Sequence, residues 1–241
     1  MISCKQSSIL TYVDETHTYT ITSNKTTRVL TAVTNVMKSY FKPFDREGIA
    51  LKMLRSGKTT FTTTKEITQS WDNAGKSGTA LHQNIELFLL QKPYEEHEDF
   101  PRFMSFWSTF NFEAKGFKCY PEYKVFDELA GISGTIDCLL VHSDGRLIIL
   151  DWKRTKKINK EGFNNEMGKY PFNLVADCNY NHYSLQLNFY RTIFSKNYLI
   201  SGQVPRCVGM FLIVFTPEST LSYEVVTVPE ISLDEHWLKL A

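Results

Sequence analysis

With 42% hydrophobic, 14% aromatic and 22% charged residues, the 241-residue chain can bury a substantial core, which excludes a disordered or low-complexity protein. Its 27 Lys and Arg against 26 Asp and Glu leave a net charge of +1, so no global basic field exists and a polyanion must be held by a local patch or by metal. Five scattered cysteines (Cys4, Cys119, Cys138, Cys178, Cys207) form no CxxC pair, no apolar run approaches the ~20 residues of a membrane span, and no basic-then-apolar leader opens the chain; the expectation is a soluble intracellular protein with reduced thiols.

In chain order, residues 8–22 read as a hairpin: Ile9, Tyr12 and Val13 precede a polar turn at Asp14 and Glu15, and 18–21 is rich in β formers. Over 29–40 the period changes to helical, through Val33, Val36, Met37 and Tyr40, and Pro43 stops it. A second helix runs through Ile49, Met53 and Leu54. The threonine-rich stretch 59–68 reads as a loop or mobile lid. A strong helix is predicted over 77–91 from the stripe Leu81, Ile85, Phe88 and Leu89, and another over 102–114 from Phe103, Phe106, Trp107 and Phe110. Strands follow at 118–126, 131–141 and 146–152, then a long polar insertion over 155–181, a helix over 183–195, and strands at 207–215 and 221–228. No repeat and no domain linker interrupts this order, so 1–241 is one domain, with an N-terminal hairpin and helices over 1–70 and a core over 71–228. The class is α/β, a central mixed sheet flanked by helices.

The informative segment is Gly134-Thr135-Ile136-Asp137, followed after a turn at Ser143-Asp144-Gly145 by Asp151-Trp152-Lys153. The two apolar runs form a hairpin, with Asp137 midway along its first strand and Asp151 just past the apolar part of its second, so folding can bring the carboxylates together. Paired carboxylates offer the hard oxygen ligands that suit Mg²⁺ or Mn²⁺. Lys153, two residues after Asp151, points to the same side of its strand. The plainer reading of the same residues is a surface hairpin with a salt bridge. On the 77–91 helix, His82 and Glu86 share a face, four residues apart, after Gly75 and Gly78. Gln186 and Tyr190 repeat that spacing on the later helix, where the plainer reading is an amphipathic border. Lys153, Arg154, Lys156, Lys157 and Lys160 form a basic run suited to a phosphate backbone, though most such runs are only solvated.

Taken together, Val33-Thr34-Asn35-Val36, Trp71 with Gly78-Thr79-Ala80-Leu81-His82, Glu122, the Gly134–Asp137 and Asp151–Lys153 segments, and Gln186 with Tyr190 resemble the RecB-like branch of the PD-(D/E)XK nucleases. The similarity is greatest to its small stand-alone members, which include phage and viral exonucleases and the mitochondrial genome maintenance exonuclease. The pieces span roughly residues 10–228, in the family's order. The resemblance implies a restriction-endonuclease-like core. It also implies that His82, Asp137, Asp151 and the backbone carbonyl of Trp152 hold Mg²⁺ or Mn²⁺, and that Lys153 contacts the attacking water or the scissile phosphate. Gln186 and Tyr190 would brace the site or touch the DNA backbone, with Arg154 and Lys156 as further substrate contacts. Glu122 would assist catalysis, and Glu86 is a possible accessory.

The implied activity is metal-dependent hydrolysis of DNA, as an exonuclease preferring single strands or ends, in replication, repair or recombination of a viral, phage or mitochondrial genome. Iron–sulfur members of the branch carry four cysteines at a spacing this chain lacks, so no cluster is expected. An RNA endonuclease of the cap-snatching type and a non-catalytic nucleic-acid-binding protein of the same fold are the alternatives. A ligating His82 must be neutral, so activity is expected to fall below about pH 6.5, or lower if the metal competes well with protons.

Overall fold

Alternation of apolar and polar residues, then turn residues, builds the first layer. Strands β1 (Ile2–Cys4), β2 (Ile9–Val13), β3 (Thr18–Ser23) and β4 (Thr26–Ala32) are followed directly by helix α1 (Val33–Ser39). The computed structural model describes residues 1–13, 16, 18–23, 26–57, 59–217, 219 and 222–233, with the side chain of residue 164 also outside the description. The turn expected at Asp14 and Glu15 lies outside the described residues. Residues 29–32, read as the start of a helix, instead finish β4, whose Thr31 and Ala32 pair in parallel with Ile132 and Ser133. β-Branched Thr26, Thr27, Val29 and Thr31 explain the preference.

Helices α2 (Arg46–Arg55), α3 (Thr64–Leu89) and α4 (Phe100–Phe110) come next. The threonine-rich stretch is no lid from residue 64 onward: Thr63 and Glu66 form a reciprocal capping box that starts α3 thirteen residues before the expected point. Strands β5 (Phe117–Asp127), β6 (Ile132–His142) and β7 (Arg146–Arg154) form the centre. After the insertion, which carries one turn of 3₁₀ helix at Phe163–Asn165, come α5 (Asn179–Asn197), β8 (Tyr198–Ile200), β9 (Arg206–Phe215) and β10 (Glu224–Thr227).

The main sheet runs β10-β9-β7-β6-β4-β3-β2, with β5 along the other side of β6; β1 pairs with β8 in a separate ribbon. Pairs β4/β6 and β7/β9 are parallel and the other pairs antiparallel, so the sheet is mixed. One core cluster joins α1 and α5 to the sheet through Val33, Leu185, Phe189, Ile193, Leu139 and Leu212. The other joins α3 and α4 through Leu81, Ile85, Phe103 and Phe106, packed on Leu140, Leu150 and Trp152. Aromatic burial of this kind contributes roughly 1.5–3 kcal/mol per side chain.

One register feature positions the site. β6 pairs with β4 at Ile132 and Ser133, and with β7 from Cys138 to Val141. Residues 134–137, the Gly-Thr-Ile-Asp segment, lie in the fork between these two partners. On that edge β6 has no strand partner among the described residues, while β5 pairs along its other edge; Ile136 is fully buried and Asp137 partly exposed.

Candidate metal centre

Asp137 stands one residue beyond the last β6–β7 pair, Cys138 with Leu150. Its Oδ2 accepts a hydrogen bond from the backbone N–H of Trp152 at 2.9 Å, which caps the β7 strand where the ladder ends. His82 approaches from α3. Its Nε2 lies 2.9 Å from the Trp152 carbonyl and its Nδ1 lies 3.4 Å from Asp137 Oδ2. A carbonyl cannot donate, so Nε2 carries the proton, assigned from this partner, and in a neutral ring Nδ1 turns a lone pair toward a carboxylate. Burial, reinforced by the Lys153 ammonium, pulls His82 down to about 4, so the ring is neutral at ordinary pH.

Glu122 completes a donor group: His82, Glu122 and Asp137 each offer a ligand atom, all within 4.8 Å of one another. Glu122 lies across β5 from Asp137, between the pairs Pro121–Cys138 and Tyr123–Ile136, and has φ 46. A left-handed non-glycine residue inside a strand costs on the order of 1–3 kcal/mol, and such strain persists where it aims a side chain. Burial, then the charges of Asp137 and Glu86, push its carboxyl up to about 9. Glu86, on the same face of α3 as His82, thereby contributes field to the centre.

Asp151 is 2% exposed, and its Oδ1 has no hydrogen-bond partner. Its Oδ2 sits 2.5 Å from Lys153 Nζ. Burial raises Asp151 to about 6; Lys153 opposes the rise and Asp137 adds to it. Burial alone would lower the Lys153 ammonium, but Asp151 and Asp137 outweigh it and hold the group charged. The ring of Tyr183 lies 4.6 Å from Lys153 Nζ, a cation–π contact that fixes the ammonium from the side of α5.

The expected set is therefore brought together with two changes of role, the first being that the Trp152 carbonyl, expected as a metal ligand, accepts from His82 Nε2–H. The second is that Glu122 stands in the donor group with His82 and Asp137, while Asp151 is committed to Lys153. Of the expected substrate contacts, Tyr190 takes the bracing position, one of the two roles that the resemblance implied, and Arg154 is engaged within the protein. Tyr190 is 3% exposed and packs against Gly134, where any side chain would collide with its ring; it accepts from Gln186 Nε2 at 3.0 Å and braces the site without reaching a ligand. Arg154 is tied to Asp99 Oδ2 at 2.7 Å and Glu98 Oε1 at 2.8 Å, and with Arg102 on Asp99 at 3.2 Å it locks the end of β7 to α4. Lys156 is exposed.

Tyr183 was not anticipated. It stands three and seven residues before Gln186 and Tyr190, and that shared helical face was the signal that could have found it. The acid limit expected from His82 also moves: a ring that stays neutral to about 4 sets no limit at 6.5, and protons compete with a cation at Glu122 instead.

The donor set fits a divalent cation. Two carboxylates and an imidazole converge, a carboxylate oxygen and an imidazole lone pair face each other, and a third carboxylate, the buried Asp151, has an oxygen without a hydrogen-bond partner among the described residues. Oxygen donors with one nitrogen suit Mg²⁺ and, at least as well, Mn²⁺. Among the described residues, His97, Glu98 and Asp99 also cluster, but Arg154 and Arg102 already neutralise their carboxylates.

No family model matches this chain, and no curated protein matches it. Among solved structures, one described as "Crystal structure of SSO0001" is similar over 87% of this chain and 71% of that one, at 17% identity and a TM-score of 0.40, a likeness too slight to carry an argument about function. Among the described residues, no helix is long and apolar enough to cross a membrane.

Proposed function

We propose that this protein is a divalent-cation-dependent nuclease of the RecB-like PD-(D/E)XK type, which hydrolyses DNA phosphodiester bonds and prefers single strands or ends, in the replication, repair or recombination of a genome. The observation that carries the reading is the convergence of His82, Glu122 and Asp137 in the fork of β6, beside the buried Asp151–Lys153 pair. Isolated surface salt bridges do not assemble five ionisable groups around a strand edge, and strongly displaced pKa values cluster at functional sites.

A divalent cation held by His82, Glu122 and Asp137 supplies Lewis acidity that offsets the charge of the phosphodiester. The chain's own groups account for the rest. Lys153, 16% exposed, presents a fixed ammonium to the phosphate and stabilises charge that builds during displacement. Asp151 and Tyr183 hold that ammonium in place, so its alignment costs little at the moment of reaction. Asp151, with its unpartnered Oδ1 and a pKa near 6, is placed to take a proton from an attacking water. Gln186 and Tyr190 keep Gly134 and the fork in register.

The test is cleavage of matched end-labelled oligonucleotides, single- and double-stranded DNA and RNA, with Mg²⁺, Mn²⁺ or EDTA. Cation-dependent shortening of single-stranded DNA, lost in Asp137→Ala, is expected. Cleavage of RNA alone would favour the cap-snatching type of activity, and binding without cleavage under any cation would make the protein a non-catalytic nucleic-acid binder.

A further inference from the structure

A cavity of about 660 Å³ opens between the start of α2 and the 155–181 insertion, within the range of small-molecule sites. Its wall ends at His182, and the next residue, Tyr183, carries the Lys153 ammonium on its ring. The cavity and the candidate metal centre therefore draw on neighbouring residues of the first turn of α5. Two phenylalanines line it and are largely exposed, Phe44 at 64% and Phe163 at 66%. Phe44 is backed edge-on by Trp71 at 5.5 Å, and Arg46 lies over that indole at 5.8 Å, so the ring is a held surface.

Three of the four acids lining the cavity are engaged, and the fourth, Glu161, is exposed. Glu166 pairs with Lys42 at 2.8 Å, Asp45 accepts from Gly48 N–H at the start of α2, and Asp177 lies 2.9 Å from His182. Four carboxylates against Lys42 and Lys52 make this lining unsuited to a phosphate, whereas exposed rings offer a face to any flat heterocycle. Two exposed lysines outside the lining, Lys156 and Lys157, lie on the segment between Lys153 and the lining residue Asn159.

We infer that this cavity receives unpaired bases of the substrate strand, stacked on Phe44 and Phe163, while the backbone follows the exposed lysines to the candidate metal centre. The inference rests on the nuclease reading above and deepens it: a paired base cannot enter, so the cavity selects single-stranded DNA. Stacking on an aromatic side chain is sequence-tolerant because every base has a π face.

The experiment is fluorescence anisotropy with a fluorescein-labelled single-stranded 20-mer, the corresponding duplex and a 20-mer carrying abasic sites, in EDTA. The proteins are wild type, Phe44→Ala, Phe163→Ala, the double variant and Phe44→Trp, with thermal melting to verify folding. Removing each ring is expected to weaken binding of the single strand about tenfold, with duplex binding unchanged and Phe44→Trp close to wild type. The abasic strand should bind wild type and double variant alike. Equal wild-type affinity for normal and abasic strands, or no loss in the double variant, overturns the inference. If in that case the wild type still cleaves DNA with Mg²⁺, the nuclease reading stands and only the cavity assignment fails. A wild type that neither binds nor cleaves any strand removes both.

Discussion

Replacing Glu122 by Gln should make the metal-free protein more stable at neutral pH while weakening its hold on a cation. The carboxyl titrates at 4.5 when unperturbed and is pushed up to about 9 in the fold, first by burial and then by Asp137 and Glu86. At pH 7 the folded protein therefore carries a proton at this position that the unfolded chain has released. Because the folded pKa is raised, the cost is absent below pH 4.5 and grows as pH rises toward 9. Between 4.5 and 7 there are 2.5 units at 1.36 kcal/mol each, or about 3 kcal/mol, an upper bound because the side chain is only half-buried.

Gln has nearly the same shape, carries no charge in either state and keeps a carbonyl acceptor, so it removes this cost. Urea unfolding in EDTA should give a variant up to about 3 kcal/mol more stable at pH 7, with a rise in Tm of roughly 6–12 °C for a chain of this size, and a difference near zero at pH 4.5. With saturating Mn²⁺ the order should reverse, since the wild-type carboxylate binds the ion and the amide does so poorly. A variant no more stable than wild type at pH 7, or one whose gain does not shrink toward pH 4.5, would refute the electrostatic account of the centre.

Lys153→Ala should lose on the order of 10²–10³ in cleavage rate with DNA affinity largely kept, as for removal of one preorganised donor, and equal losses in both would reduce Lys153 to a phosphate contact. The same variant strands the buried Asp151 charge, so metal-free stability at pH 8 should fall by about 3 kcal/mol and recover at pH 5, where Asp151 takes up a proton. Gly134→Ala should cost about 1–3 kcal/mol, because the added methyl meets the buried Tyr190 ring; Tyr190→Phe, which keeps that ring, should not rescue it, and a rescue in urea unfolding would show that the hydroxyl and not the ring is in the way.

The parts of this molecule legible in its sequence are those governed by local periodicity. The stripe Leu81, Ile85, Phe88 marked α3, and the alternation through 132–141 with a Ser-Asp-Gly turn marked the central hairpin, so Asp137, Asp151 and Lys153 could be placed together before any contact was known, while joining His82 to them took the family resemblance. What escaped depends on partners distant in the chain. β4 is extended because β6 offers it a parallel edge at Ile132 and Ser133. The early start of α3 was written locally, in Thr63 and Glu66, but a threonine run masks a capping box. Arg154 sits in a basic run that suggests solvent, yet Glu98 and Asp99, fifty-odd positions earlier, claim it. The role of Glu122 follows from a left-handed backbone angle that no residue type at that position announces.

The account stands most directly on where a cation binds. A crystal of the wild-type protein soaked in Mn²⁺, with data collected at the manganese absorption edge, should give an anomalous peak in the fork of β6, bonded to Asp137, Glu122 and one nitrogen of His82. A peak at Glu98 and Asp99 alone, one on the carboxylates but remote from His82, or no peak at millimolar Mn²⁺ would contradict it.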